Sequence, residues 1–348
     1  MMRVLRLSAV LLPEREIRFP PNPVNTLRGA LGFQLKRLAC FQKVHERTTC
    51  HGCPAEAACV YAACFETGGQ DAARPAAFGG NLDLPHLLVL EARFSAAAAI
   101  PAGQAVTFGL ALFGRAVEAV PWMVQALRET ARVGLTTERV PCRLAAVTAD
   151  SGVPLYDPET ERLQPWVPER LVLPVPDPAD RAADRVTVRF LTPTSFKDKA
   201  TGRVRPEVEF HRLVMSLCRR LTAFVTLDGG SPPPWDFAAL ARLAREVRVV
   251  ASDLEFAPWE RFSTKQAARI RFGGVLGRVT YAGPLRPFRP LLEAGQWLRV
   301  GRGTSFGQGR YVLEAAETAG GKNDFEPVAE GHLSADNRPA VIAGQEGR

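Results

Sequence analysis

The chain has 348 residues, 46% of them hydrophobic and 23% charged, with a formal net charge of +8. That length accommodates two domains with sizeable cores, and no apolar run reaches the ~18 residues a membrane span requires. The opening Met1-Met-Arg-Val-Leu-Arg-Leu lacks the long apolar segment of a secretory signal, which predicts a cytoplasmic protein whose cysteines form no disulfide framework.

Taken in chain order, Arg3 to Leu12 alternates as a strand does, with Leu5, Leu7, Ala9 and Leu11 on one face. Asn22-Pro23 reads as a helix start, asparagine capping and proline in the first turn. Val24, Leu27, Leu31, Leu35, Leu38 and Phe41 follow at steps of three and four, so the helix is amphipathic and turns Arg28, Lys36 and Arg37 outward. Strands are predicted over 87–94 and 105–113, a helix over 117–133 ending at Gly134, and a strand over 141–147. Seven prolines between 154 and 184 predict a semi-rigid connector. The order then repeats: a strand through Val186, Val188 and Phe190, a helix over 210–225 and an extra helical stretch over 237–247. Strands over 247–256 and 274–281, a short helix over 285–294, and strands over 297–300 and 311–315 complete it.

Two tandem β-α-β-β-α-β units argue for an α+β chain of two ferredoxin-like domains, with a cysteine-rich insertion after the first helix. The predicted boundaries are 1–153 for the N-terminal domain, with the insertion at 40–64, then the connector at 154–184. The C-terminal domain follows at 185–316 and a disordered tail at 317–348.

Chemistry concentrates in two places. From Arg261 to Arg310 there are ten Arg and Lys residues against one acid, Glu293, and this excess surrounds a glycine-rich loop with Gly301, Gly303, Gly307 and Gly309. A basic patch of that density points to a polyanion, RNA or DNA first. Glycine allows main-chain N–H groups to lie against a phosphate, and the neighbouring Arg302 and Arg310 add charge and a bidentate fork. The loop matches neither a P-loop nor a dinucleotide fingerprint. The second place is a cysteine cluster, in which Cys40, Cys50, Cys53, Cys59 and Cys64 fall within 25 residues. Such spacing fits structural zinc, or an iron–sulfur cluster, on Cys40, Cys50, Cys53 and either Cys59 or Cys64. Cys142 and Cys218 read as buried apolar residues.

Three segments carry a family resemblance: Leu27-Arg-Gly29-Ala-Leu-Gly32, Phe272-Gly-Gly-Val-Leu-Gly277-Arg-Val-Thr-Tyr281, and Gly301-Arg-Gly-Thr-Ser-Phe-Gly-Gln-Gly309-Arg-Tyr. With the domain order, they resemble the RAMP superfamily of CRISPR-associated proteins, and within it the pre-crRNA processing endoribonucleases. The cysteine cluster and Thr192-Pro-Thr-Ser-Phe196 resemble one branch of these nucleases, in which Cys59 is the fourth ligand.

The resemblance implies cleavage of CRISPR repeat RNA without a catalytic metal or other catalytic cofactor. The RNA 2′-OH attacks the adjacent phosphate, leaving a 2′,3′-cyclic phosphate and a 5′-OH. Such a reaction needs a base, an acid and cations facing the phosphorane. By family position His45, after the first helix, is the expected catalytic residue, with Lys43 and Arg47 stabilising charge. His51 is its rival, and Arg28, Lys36 and Tyr61 stand in for members that dispense with histidine. Gly301, Arg302, Gly303, Gly307, Gly309, Arg310, Arg269, Arg271, Arg278, Arg203 and Arg205 are the expected RNA-binding residues, with Lys199 beside the last pair. Phe306 either stacks on a base or packs beneath the loop. Implied partners are repeat RNA, its crRNA product and subunits of a CRISPR effector complex, with no membrane. The alternative is an RAMP subunit that binds RNA without cutting it.

Overall fold

The computed structural model describes residues 2–41, 50, 52–66, 85–94, 96, 98–171, 179, 184–196, 207–263 and 268–314. Residues 1–315 form one compact unit.

Strand β1 (Met2–Pro13) alternates in burial as its sequence alternates in polarity. Helix α1 (Pro23–Ala39) starts where Asn22 and Pro23 predict, and the Asn22 side chain accepts the Asn25 N–H at 3.3 Å. After the short α2 (Val60–Phe65) come β2 (Leu88–Ala92), β3 (Val106–Phe113), a 3₁₀ turn, α3 (Val120–Val133) and β4 (Cys142–Ala149). These strands lie in the antiparallel order β2-β3-β1-β4.

In the second half, β8 (Asp184–Thr194), α4 (Phe210–Leu227), α5 (Phe237–Glu246), β9 (Arg248–Ser263), β10 (Ala268–Gly283), α6 (Arg289–Leu298) and β11 (Tyr311–Glu314) follow in turn. Their sheet order is β11-β8-β10-β9. Each half therefore sets its first strand between its third and fourth, the ferredoxin-like arrangement. One apolar core runs through both halves. Across the junction, the rings of Phe113 and Phe224 stack with centroids 4.5 Å apart.

Three sequence expectations are corrected. The proline-rich stretch is not merely a connector, because β5 (Pro154–Asp157), β6 (Arg162–Leu163) and β7 (Glu169–Leu171) extend the first sheet. Leu155 and Tyr156 are buried there, since a proline at a strand's first position leaves the following amides free to pair. No strand forms over 297–300: the preceding helix runs on to Leu298, and Arg299 at φ 66° ends it. The β9–β10 hairpin is longer than its alternation suggests, 16 residues in each arm. Pairing between the arms runs from Ala268↔Ser263 inward, whereas β8 joins only from Val275 onward. The predicted tail lies outside the described residues, as do His45, Lys43, Arg47, His51, Lys199, Arg203 and Arg205.

Candidate nucleic-acid interface

The glycine-rich loop is built into the protein. Thr192 and Pro193, at the end of β8, and Ser195, just after it, form its cradle. The Arg302 N–H donates to Ser195 O at 3.1 Å, the Arg310 N–H to Thr192 Oγ1 at 2.9 Å, and the Gly309 N–H to Pro193 O at 3.4 Å. Val300 N–H closes the loop on Gly309 O at 3.0 Å. Gly309 sits at φ 78°, and a Cβ there would lie 1.9 Å from Val300 O, so no other residue fits.

Most of the loop's main-chain donors are used inside the protein. The amides of Gly301, Arg302, Phe306, Gly307, Gln308, Gly309 and Arg310 all donate within the protein. Only at Gly303, Thr304 and Ser305 do loop amides meet no acceptor among the described residues. Arg302 beside them is exposed.

The loop docks on the start of α1. Asn22 Nδ2 donates to Phe306 O at 3.2 Å, and Gly307 rests on the Val24 side chain. The Arg28 guanidinium lies between two rings, 5.1 Å from the Phe306 centroid and 4.8 Å from that of Phe65. Tyr61 stacks on Phe65 with centroids 5.5 Å apart and an interplanar angle of 5°, and Lys36 Nζ lies 5.4 Å over the Tyr61 ring. Cations and rings thus form one continuous series: Phe306, Arg28, the stacked pair Phe65 and Tyr61, and Lys36. Helix α1 supplies both cations at a spacing of eight residues, a little over two turns of one face. Gly32 lets the ring of Phe65 approach this close.

Arg28, Lys36 and Tyr61, predicted as substitutes for histidine, therefore share one surface with the loop. The Tyr61 phenol is raised above its ordinary pKa by burial and then by Glu66 and Cys50, so it is a neutral hydrogen-bond donor rather than a base. His86, two residues before β2, is pushed down to about 3 by burial, with Arg28 and Arg220 adding to the effect. It is neutral at physiological pH.

Other predicted cations stand apart. Arg278 Nε is bound to Glu314 Oε2 at 2.8 Å, which offsets its charge. Arg269 and Arg271 lie on the hairpin, opposite Phe262 and Glu260 in register. Arg310 faces the other half of the molecule, 3.9 Å from Glu91 Oε2.

The cysteines flank this surface. Cys40 caps the end of α1, Cys50 and Cys53 bracket a turn in which Cys53 N–H donates to Cys50 O at 3.0 Å, and Cys59 precedes α2. Burial first, then Glu66, pushes the Cys50 thiol up to about 11, and Cys59 and Cys40 add to the shift. Cys64 is wholly buried. Among the described residues no three His, Cys, Asp or Glu side chains converge as a metal site. The expected zinc or iron–sulfur cluster on Cys40, Cys50, Cys53 and Cys59 thus has no support in the arrangement.

Sequence reading missed the roles of Phe65 and Glu91. Both are far in sequence from the residues they hold, and nothing local marks them.

Comparison with known families and structures accords with this geometry. The family model described as CRISPR-associated endoribonuclease Cas6 matches residues 188–311, and a second, described only as an N-terminal domain, matches residues 2–167. No curated protein matches the chain in sequence. Among solved structures, a Cas6 product complex is 19% identical with a TM-score of 0.52, over 90% of this chain and all of that one. A Cas6 from Thermus thermophilus is 17% identical with a TM-score of 0.49, over 90% of this chain and 99% of that one. A chain of a partial Cas6-RT-Cas1–Cas2 complex is 12% identical with a TM-score of 0.51, over 94% of this chain and 49% of that one. With the ferredoxin-like order in both halves and the glycine loop seated on α1, residues 188–311 match the CRISPR-associated Cas6 endoribonuclease family, and the chain shares the fold of solved Cas6 structures.

Proposed function

We propose that the protein matures CRISPR repeat RNA by metal-independent cleavage, with the face of α1 beside the glycine loop as the place of reaction. In this scheme the 2′-oxygen attacks the adjacent phosphorus and the P–O5′ bond breaks. The products are a 2′,3′-cyclic phosphate and a 5′-OH. A base takes the 2′-OH proton and an acid protonates the departing 5′-oxygen.

The observation that carries the reading is the seat of Phe306 against Arg28, which ties the loop, with its three amides that meet no acceptor among the described residues, to the cation-bearing face of α1. Arg28 and Lys36 face charge developing on the phosphorane, and Tyr61 donates a hydrogen bond. His45, a few residues beyond α1, is assigned the proton transfers, with Lys43 and Arg47 beside it. Arg302 and the amides of Gly303, Thr304 and Ser305 hold a flanking phosphate. The RNA is gripped by shape along its phosphate ridges. A CRISPR effector or adaptation complex is the proposed assembly, and a cytoplasmic site of action fits the absence, among the described residues, of any helix able to cross a membrane.

The test is incubation of the purified protein with repeat RNA in EDTA. Cleavage that disappears when the ribose before the cut is replaced by 2′-deoxyribose supports the reading. Tight binding without cleavage would instead indicate an RNA-holding subunit.

A further inference from the structure

A pocket of about 360 Å³ lies on the other side of the glycine loop's foot, between β1–β3 of the first half and α6 and β11 of the second. Four guanidiniums line it, those of Arg6, Arg93, Arg299 and Arg310, against the two carboxylates of Glu91 and Asp150. Glu169 offsets Arg6 at 3.2 Å, and Arg93 is satisfied by Glu91, Asp150 and Ser8. The surplus charge therefore falls on Arg299 and Arg310, which share Glu91 with Arg93.

Arg299 is the unusual member. Its side chain is only 3% exposed, it donates through Nη2 to Glu91, and among the described residues its Nε and Nη1 have no partner. A buried guanidinium with two idle N–H groups is costly unless something completes its coordination. Its backbone is held at φ 66°, an uncommon conformation for a non-glycine residue. Arg310 is more than a third exposed, and its nearest carboxylate oxygen, at 3.9 Å, is beyond hydrogen-bond reach. The sheet makes room for this arrangement. A Cβ on Gly109 of β3 would lie 2.5 Å from Glu91 Cγ and 2.7 Å from Arg93 Nε, so glycine alone lets both side chains lie flat over the strand. Trp297 supplies an aromatic wall, with the Arg6 guanidinium 5.3 Å from its ring centroid.

We propose that this pocket is a phosphate-recognition site for a nucleotide, separate from the cleavage centre. Arg310 and Arg299 bind the phosphate, while Glu91 and Arg93 hold them in place from the other half of the molecule. The ligand is a phosphate-bearing nucleoside unit, free or within an RNA strand. The proposal concerns binding only and stands whether or not the protein cuts RNA.

Isothermal titration calorimetry on the full chain with AMP, adenosine and the dinucleoside monophosphate ApA tests it. AMP is expected to bind at least tenfold more tightly than adenosine. ApA equal to AMP indicates a phosphodiester within a strand, and weaker ApA indicates a terminal phosphate. Both support phosphate recognition. Arg310→Ala and Arg93→Ala are each expected to weaken AMP at least tenfold. Arg310 is partly exposed, so Arg310→Ala keeps the test open if Arg299→Gln fails to fold. Equal binding of adenosine and AMP, no binding of AMP at millimolar concentration, or loss in Arg310→Ala with none in Arg93→Ala would each overturn the proposal.

Discussion

The guanidinium of Arg28 lies 5.1 Å from the ring centroid of Phe306, so the first helix of one half and the glycine loop of the other meet through a cation and an aromatic face. Cation–π attraction at a partly buried site contributes about 1 kcal/mol. The larger consequence is positional: the loop's three idle amides come to lie next to a fixed positive charge.

Removing that charge separates function from stability. Arg28→Ala is expected to cut repeat-RNA cleavage about 100-fold, the scale for losing one group that faces transition-state charge. Thermal unfolding should shift only by the few degrees that about 1 kcal/mol allows. Single-turnover cleavage and calorimetry on the same preparation check both. A parallel loss of fold would refute the separation.

Gly309→Ala is expected instead to lower stability and RNA binding together. Its Cβ would meet Val300 O in a backbone at φ 78°, a strain of about 1–3 kcal/mol. Urea denaturation should show the loss, and RNA binding should weaken with it, since the loop cannot close on Val300.

Stability should depend on His86 in acid. Its folded pKa, about 3, lies below the ordinary value of 6.5, so the unfolded chain takes up a proton that the folded chain refuses. The stabilising effect is complete above about pH 6.5 and is lost as pH falls toward 3, at up to about 1.4 kcal/mol per pH unit. Urea midpoints between pH 4.5 and pH 7 should fall less steeply in His86→Gln than in the parent. Identical slopes would exclude His86 as the source.

Arg302 and Arg278 should differ as RNA contacts. Arg302 is exposed at the loop tip, whereas Arg278 already serves Glu314 at 2.8 Å. Arg302→Ala is expected to lower the slope of log affinity against log salt by about 0.7–0.9, the share of one phosphate contact, and Arg278→Ala by clearly less. Filter binding across salt concentrations distinguishes them.

Much of this architecture follows from local pattern. Alternation in β1, the Asn22-Pro23 start of α1, Gly134 after α3 and the four-glycine loop are set by neighbours in the chain, because capping, turn and period-two signals act over a few residues. The same holds for the repeated element order, and so for the fold. What the loop's amides do was decided elsewhere. Ser195, Pro193 and Thr192 take up amides that the glycines alone seemed to offer to RNA, and they lie more than a hundred residues away. Phe65 reaches Arg28 only because α2 folds back over Gly32, and Glu91 meets Arg299 only where β2 of one half comes against the end of α6 of the other. Sequence determined which groups were available; tertiary packing determined which were consumed in holding the fold and which were left for a ligand, because a hydrogen bond or ion pair is settled by distance in space and not by position in the chain.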